Sequence, residues 1–441
     1  MPCNADLAAR DLQVVWHPCT QMSDHEWLPL VPIERGEGCW LIDTDGKRYF
    51  DAISSWWVNL FGHAHPTISA AVAAQAARLE HVIFAGFTHE PAIELAERLL
   101  ALAGPPFARV CYGDSGSSAI EIALKLSFHY WRNAGAGERT RFVVLDGGYH
   151  GETLGALSMT QVPLYREVYG PLLLRPLVAP APADAGVEAA EQAADGLDAL
   201  LAEHSASVCA VLVEPLVQCA AGMRMHHPQY LRRLRAACDR HGAHFIADEI
   251  AVGCGRTGTL FAHQQAGVAP DLLCLAKGLT GGYLPLSAVL TTDPVYRAFY
   301  DDYASLRAFL HSHSYTGNAL ACAAANASLT LLAKPGLMAR IESLGAALED
   351  ALAPLRAHPR VRDLRRRGLI VAADLVDRDD RPYPWQQRRG LRVYQHGLVA
   401  GALLRPLGNT VYCMPPYVAR EDELHWLAGV AMAGIEQATR G

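Results

Sequence analysis

Lysine is the residue this chain most nearly lacks. Lys47, Lys125, Lys277 and Lys334 stand beside 34 arginines. No cysteine pair has C-x-x-C spacing, and the total of 11 is odd. The thiols are scattered and several fall in apolar runs. That excludes a disulfide framework and a zinc ribbon, and predicts reduced, buried cysteines. No 18-residue stretch is uninterruptedly apolar, so no membrane-spanning helix is expected. The opening segment MPCNADLAARDLQ has no apolar signal core, and the cytoplasm is the expected location. The net charge is −7, so nucleic acid is excluded as the main partner, because phosphate binding needs a basic surface. With 441 residues, 51% of them hydrophobic, the chain can build a large core in two or three packed units.

Up to about residue 60 the sequence mixes Pro, Trp and short strand patterns. CWLIDTDGKRYFDA reads as a hairpin about Asp45-Gly46. From 61 to 335 helical and strand patterns alternate. Helices are expected at 66–79, 91–102, 117–131, 228–241 and 318–333. Strands are expected at 109–112, 141–145, 208–213, 244–248, 272–275 and 286–291. Such alternation predicts an α/β domain with a mostly parallel central sheet flanked by helices. The Ala/Pro/Asp-rich stretch 179–198 reads as a surface connection. From 336 to 441 the pattern is helix (336–353), strand (369–375), helix (386–397), strand (402–404) and helix (421–438). This predicts a smaller α+β domain, to which segment 1–60 contributes.

The scarcity of lysine makes each one informative. A lysine that forms a Schiff base must shed its charge, so it belongs in a partly desolvated site at the end of rigid structure. Lys47 lies in a charged turn, Lys125 follows Glu121 by four residues, and Lys334 precedes Pro335. Only Lys277 follows an apolar strand and opens a Gly-rich turn; a lysine snorkelling from a strand end is the alternative. Asp248 and Glu249 stand at the carboxyl end of another strand, where α/β ligands bind. A carboxylate there can hold a protonated ring nitrogen, or merely cap a turn. Asp-Ser-Gly-Ser-Ser (114–118) leads from a strand into a helix. Gly116, the hydroxyls of Ser117 and Ser118, and the free first-turn amides suit a phosphate, although a Ser N-cap without ligand is the alternative. Tyr149, on the turn Asp-Gly-Gly-Tyr-His-Gly, can stack on a planar group or simply pack.

Three signals are discounted. Gly253–Gly258 matches G-x-G-x-x-G, but two acids and further residues separate it from its strand, so a nicotinamide dehydrogenase is disfavoured; it would also leave Lys277 without a role. The arginines from Arg360 to Arg367 lead into an apolar strand without interleaved aromatics and read as a solvated face. His63/His65 and His311/His313 lack further ligands at metal spacing, so no metal is expected. Cys219, Cys254 and Cys274 read as packing thiols.

Taken in order, these features resemble the class III (ω-amino acid) aminotransferases of the fold-type I pyridoxal-phosphate enzymes. The resemblance runs along essentially the whole chain. It rests on WHPCTQM (16–22), SSWWVNLFGHAHP (54–66), DSGSSAIEIALKL (114–126) and GGYHGETLGALSM (147–159). It continues through EPLVQCAAGMRM (214–225), IADEIAVGCGRTG (246–258), CLAKGLTGGYLPLSAVLTT (274–292), HSHSYTGNALACAAANASL (311–329) and LLRPLGNTVYCMPPY (403–417). Within the family it is narrowest to the branch that aminates 8-amino-7-oxononanoate in biotin synthesis.

The resemblance implies pyridoxal 5′-phosphate as cofactor and a ping-pong transamination. It makes Lys277 the cofactor-bearing lysine and proton shuttle, Asp248 the partner of the ring nitrogen, and Tyr149 the stacking ring. Gly116 and Ser117 would take the phosphate. Ser314, with Ser312 and His313 beside it, would reach that phosphate from a second copy, which implies a homodimer. Cys19, Trp56, Trp57, Tyr149, Ser312, Arg405 and Tyr412 would contact substrate, with Arg405 on the acceptor's carboxylate. S-adenosylmethionine is the implied donor. Cys19 departs from the family, where Tyr is common. That leaves lysine as an alternative donor, and another ω-amino acid aminotransferase as an alternative activity.

Overall fold

The computed structural model describes residues 2–440. They form two compact units: one runs to Pro66 and resumes at Ser343, and the other is Thr67–Glu342.

The unit Thr67–Glu342 is built on a seven-stranded sheet. Its strands, in spatial order, are Phe107–Gly113, Ser287–Thr292, Leu272–Leu275, His244–Asp248, Val208–Val213, Arg141–Leu145 and Leu177–Ala179. Ser287–Thr292 runs antiparallel to both neighbours, and every other pair is parallel. Strands buried on both faces are predominantly apolar. Every residue of Val208–Val213, His244–Asp248, Leu272–Leu275 and Ser287–Thr292 is accordingly buried. Against this sheet packs the helix Gly116–Asn133, whose Ile120, Ile122 and Leu126 join Val144, Leu212, Ile246 and Val289 in one core. Parallel register sets Asp248 opposite Cys274, so two neighbouring strands end together, with Lys277 three residues beyond Cys274.

Segment 179–198 is not the expected connection. Residues Val187–His204 form a helix that buries Ala190, Ala193, Ala194, Leu197 and Leu201 along one stripe. Alanine is the strongest helix former, and its small side chains made a core-facing stripe look like a neutral surface. The three-residue strand Leu177–Ala179 was too short to show a period.

In the other unit, Ile33–Glu37, Trp40–Asp43 and Arg48–Asp51 form an antiparallel meander, with Gly46 at φ +85° in the expected turn. Ala402–Leu403 adds to Arg48–Asp51 in parallel, so both chain ends share this sheet. A second sheet pairs Val361–Arg367, Ile370–Leu375 and Thr410–Cys413. The arginine-rich segment is therefore itself a strand. Arg365 pairs with Asp374 and Arg366 with Glu349, a structural use of these charges. Helices Arg389–Ala400 and Glu421–Thr439 pack on each other.

Candidate functional site

In the unit Thr67–Glu342, the chemistry gathers where strands end. Asp248 closes its strand and is buried. One carboxylate oxygen accepts from the amide of Ile250 (3.1 Å), and the other is 2.7 Å from Nδ1 of His150. Each oxygen keeps a further lone pair. His150 is itself buried, and its Nε2 has no hydrogen-bond partner among the described residues. A buried polar nitrogen left unpaired costs about 1–3 kcal/mol, which singles out this spot as built for something besides packing.

Lys277 follows the strand Leu272–Leu275 and opens the short turn Lys277–Thr280. Its backbone is in the left-handed region, at φ +45°, a conformation that costs a non-glycine residue about 1–3 kcal/mol and tends to persist at functional positions. Burial disfavours the ammonium and lowers its pKa below the usual lysine value; Cys219, Asp248 and Glu214 partly offset this. Both requirements for a nucleophilic lysine, rigid placement and desolvation, are met.

Tyr149 and His150 sit on the turn between Gly147 (φ +72°) and Gly151 (φ +124°). The Tyr149 hydroxyl donates to Glu152 (2.7 Å), and its ring meets Tyr165 edge-on at 5.2 Å. The buried carboxylate of Glu214 fastens this turn by accepting from the Tyr149 amide (2.9 Å) and from the Cys219 amide (3.0 Å). Burial pushes Glu214 up to about 7, against the lowering effect of His150 and the two amides.

The helix Gly116–Asn133 begins beside this cluster. Ser115 caps it by accepting from the Ser118 amide (3.2 Å). The first intrahelical bond runs from Ala119 to Ser115, so the amides of Gly116 and Ser117 precede the helical ladder. A side chain at Gly116 would come within 2.9 Å of Ile250. The loop carrying Ser312 and Ser314 exposes both, while His313 lies 3.2 Å from Asp114. Lys125 and His311 continue this contact chain at 2.9 Å, and His311 meets His313 at 3.2 Å.

The remaining expected residues lie in the other unit. Ser54, Ser55, Trp56 and Trp57 all have positive φ (+51°, +46°, +70° and +74°), forming a left-handed turn. Buried Asp51 holds it by accepting from the Ser55 amide (2.9 Å), the Ser55 hydroxyl (2.7 Å) and His63 (3.0 Å). Trp56 is thereby left exposed, with the Arg405 guanidinium 5.0 Å from its ring. Arg405 also donates to the carbonyl of Cys19 (3.3 Å). Residue 19 thus meets Arg405 through its backbone carbonyl. Trp57 and Tyr412 are both buried, and the Trp57 indole donates to the Tyr412 hydroxyl (2.9 Å), a pairing that backs the turn displaying Trp56.

Sequence reasoning gave no role to His150 or Glu214. It quoted both segments, but their partners are 98 and 65 residues distant, and no local pattern announces them. Glu249 turns away from this cluster. Its carboxylate accepts from the amides of Ala262 (2.6 Å) and His263 (2.8 Å), clamping the loop that contains Gly253–Gly258. Cys219, Cys254 and Cys274 are buried, and burial raises all three thiols, Cys254 to about 12.

Residues 21–434 match the family model for aminotransferase class-III. The adenosylmethionine-8-amino-7-oxononanoate aminotransferase of Helicobacter pylori is 44% identical over 424 residues, 95% of each chain. The crystal structure of the enzyme of that name from Methanocaldococcus jannaschii is 36% identical. It covers 98% of both chains with a TM-score of 0.93. An amine transaminase from an uncultivated Pseudomonas species, crystallised in its PLP-bound form, is 33% identical with a TM-score of 0.91. That match covers 96% of this chain and 99% of the other.

Proposed function

We propose that this chain, which belongs to the class III aminotransferase family, moves an amino group from S-adenosylmethionine to 8-amino-7-oxononanoate, with pyridoxal 5′-phosphate as cofactor. The observation that carries the reading is the desolvated Lys277, electrostatically coupled to buried Asp248 at the end of two paired parallel strands. The names of the relatives supply the two substrates.

The residues present fit the cofactor. Asp248 keeps a lone pair for a ring N–H⁺, and the unpaired Nε2 of His150 marks a polar spot behind it. The amides of Gly116 and Ser117 suit a phosphate, and Tyr149 presents a ring. When bound, pyridoxal phosphate supplies the electron sink for breaking a Cα–H bond. Lys277 would carry it and move the proton, a role that needs the amine neutral, as its burial favours. His313 and Ser314 would add to the phosphate site, Ser314 from a second copy, in a homodimer. Supporting this, Phe87, Tyr303, Leu306, Leu310 and Tyr315 are large apolar side chains left exposed. Arg405 would hold the acceptor's carboxylate by a paired bond, with Trp56 beneath its guanidinium.

The test is a half-reaction with each donor. S-adenosylmethionine should discharge the absorbance of the pyridoxal form, and 8-amino-7-oxononanoate should restore it. Discharge by lysine alone would transfer the donor role to lysine. Failure with 8-amino-7-oxononanoate, combined with restoration by another keto or aldehyde acceptor, would replace the proposed substrate.

A further inference from the structure

The buried carboxylate of Glu214 has no part in the assignments above, yet it ties together the segments that carry them. It directly follows the strand Val208–Val213 and is 5% exposed. One oxygen takes the amide of Tyr149 and the other the amide of Cys219, so a single side chain joins the 147–151 turn to the loop at 214–219. The same turn is held on its far side by the Thr160 hydroxyl, which accepts from the His150 amide (3.0 Å). With the turn fixed, His150 reaches Asp248 at 2.7 Å. Only a carboxylate can accept from both amides; a glutamine would turn an N–H₂ toward one of the N–H donors.

We propose that Glu214 is a positioning residue: it holds Tyr149 and His150 in register with Asp248 and places a second carboxylate in the field around Lys277. The proposal rests on the pyridoxal-phosphate reading of the site. The titratable groups that act on Glu214 are His150 and Asp248, and those that act on Lys277 are Cys219, Asp248 and Glu214 itself. Above about pH 7, where Glu214 is ionised, removing its carboxylate takes away negative charge that favours the cation at Lys277, so protonation there becomes harder.

The probe is pyridoxal phosphate bound to the full chain, with its visible absorbance followed against pH. Glu214→Gln should lower the midpoint of that titration by about one unit, and weaken cofactor binding about tenfold through the misplaced turn. Glu214→Asp keeps the charge but is too short to reach both amides. Its midpoint should stay near wild type while cofactor binding still weakens. Glu214→Gln with wild-type midpoint and wild-type cofactor affinity overturns the proposal. Should that variant not fold, Glu214→Asp decides alone: unaltered cofactor affinity overturns it, and weakened affinity at an unaltered midpoint supports it. A wild-type protein that takes up no pyridoxal phosphate overturns the underlying reading of the site instead, and the role of Glu214 falls with it.

Discussion

Two buried groups in the unit Thr67–Glu342 give the fold opposite responses to pH. Glu214 is raised from 4.5 to about 7, chiefly by burial, so between those values the folded state keeps a proton that the unfolded chain has lost. Its contribution to stability is complete below about pH 4.5 and lost as pH rises through about 7. His244, lying against Ser127, Tyr130 and Trp131, is lowered from 6.5 to about 4, mainly by burial. Its contribution is complete above about pH 6.5 and lost as pH falls toward 4. Each shift corresponds to about 3 kcal/mol. Between about pH 5 and 6.5 the two effects oppose each other, so the thermal stability of cofactor-free wild-type protein should change little with pH there, whereas Glu214→Gln, left with His244, should gain stability as pH rises. A variant with the wild-type profile would remove Glu214 from that balance. At Arg405 the expectation is kinetic. Arg405→Ala should raise the KM for 8-amino-7-oxononanoate far more than it alters the donor half-reaction, because truncating one member of a buried charge pair costs about 2–5 kcal/mol. Equal effects on both halves would give Arg405 a different role. At this scale the sequence was legible where chemistry and rarity coincided. Lys277 was found because few lysines compete with it. Glu214 was not, because its partners are backbone amides, which every residue has.

Among the elements, the left-handed turn Ser54–Trp57 is disfavoured locally and held by residues outside it. Left-handed geometry costs about 1–2 kcal/mol per non-glycine residue, and Ser-Ser-Trp-Trp contains no glycine to relieve it. Asp51 and the bond from the Ser54 hydroxyl to the Met414 carbonyl (2.7 Å) hold it in place. Asp51→Ala should destabilise this unit by about 1–3 kcal/mol, since it leaves the Ser55 amide and hydroxyl and the His63 Nε2 without their buried acceptor. Urea unfolding measures this, and a loss below 1 kcal/mol would show the turn held by other means. A turn of this kind is invisible to propensity, because the residues that fix it lie outside it. The reverse holds for the sheet strands, whose uninterrupted apolar runs reported burial on both faces, and for the hairpin at Asp45-Gly46, where the turn dipeptide sets the geometry locally. The helix Val187–His204 escaped because its buried stripe is mostly alanine, which reads equally well as surface.

For the whole molecule, the family resemblance in nine motif segments spread from residue 16 to 417 carried more than any single spacing, because a constellation in fixed order is hard to meet by chance. Association is the property least legible in one chain. If Leu306 and Leu310 lie in a homodimer interface, Leu310→Asp should shift the sedimenting species toward monomer and weaken cofactor binding, since Ser314 would no longer reach a neighbouring site. A Leu310→Asp protein that sediments as wild type would remove that surface from the interface. The most direct measurement of the central claim is a product assay. Protein loaded with pyridoxal phosphate is incubated with S-adenosylmethionine and 8-amino-7-oxononanoate, and 7,8-diaminononanoate is sought by mass spectrometry. The expected result is product from the wild type and none from a folded Lys277→Ala variant. Absence of product from the wild type, or an equal yield from Lys277→Ala, would contradict the claim.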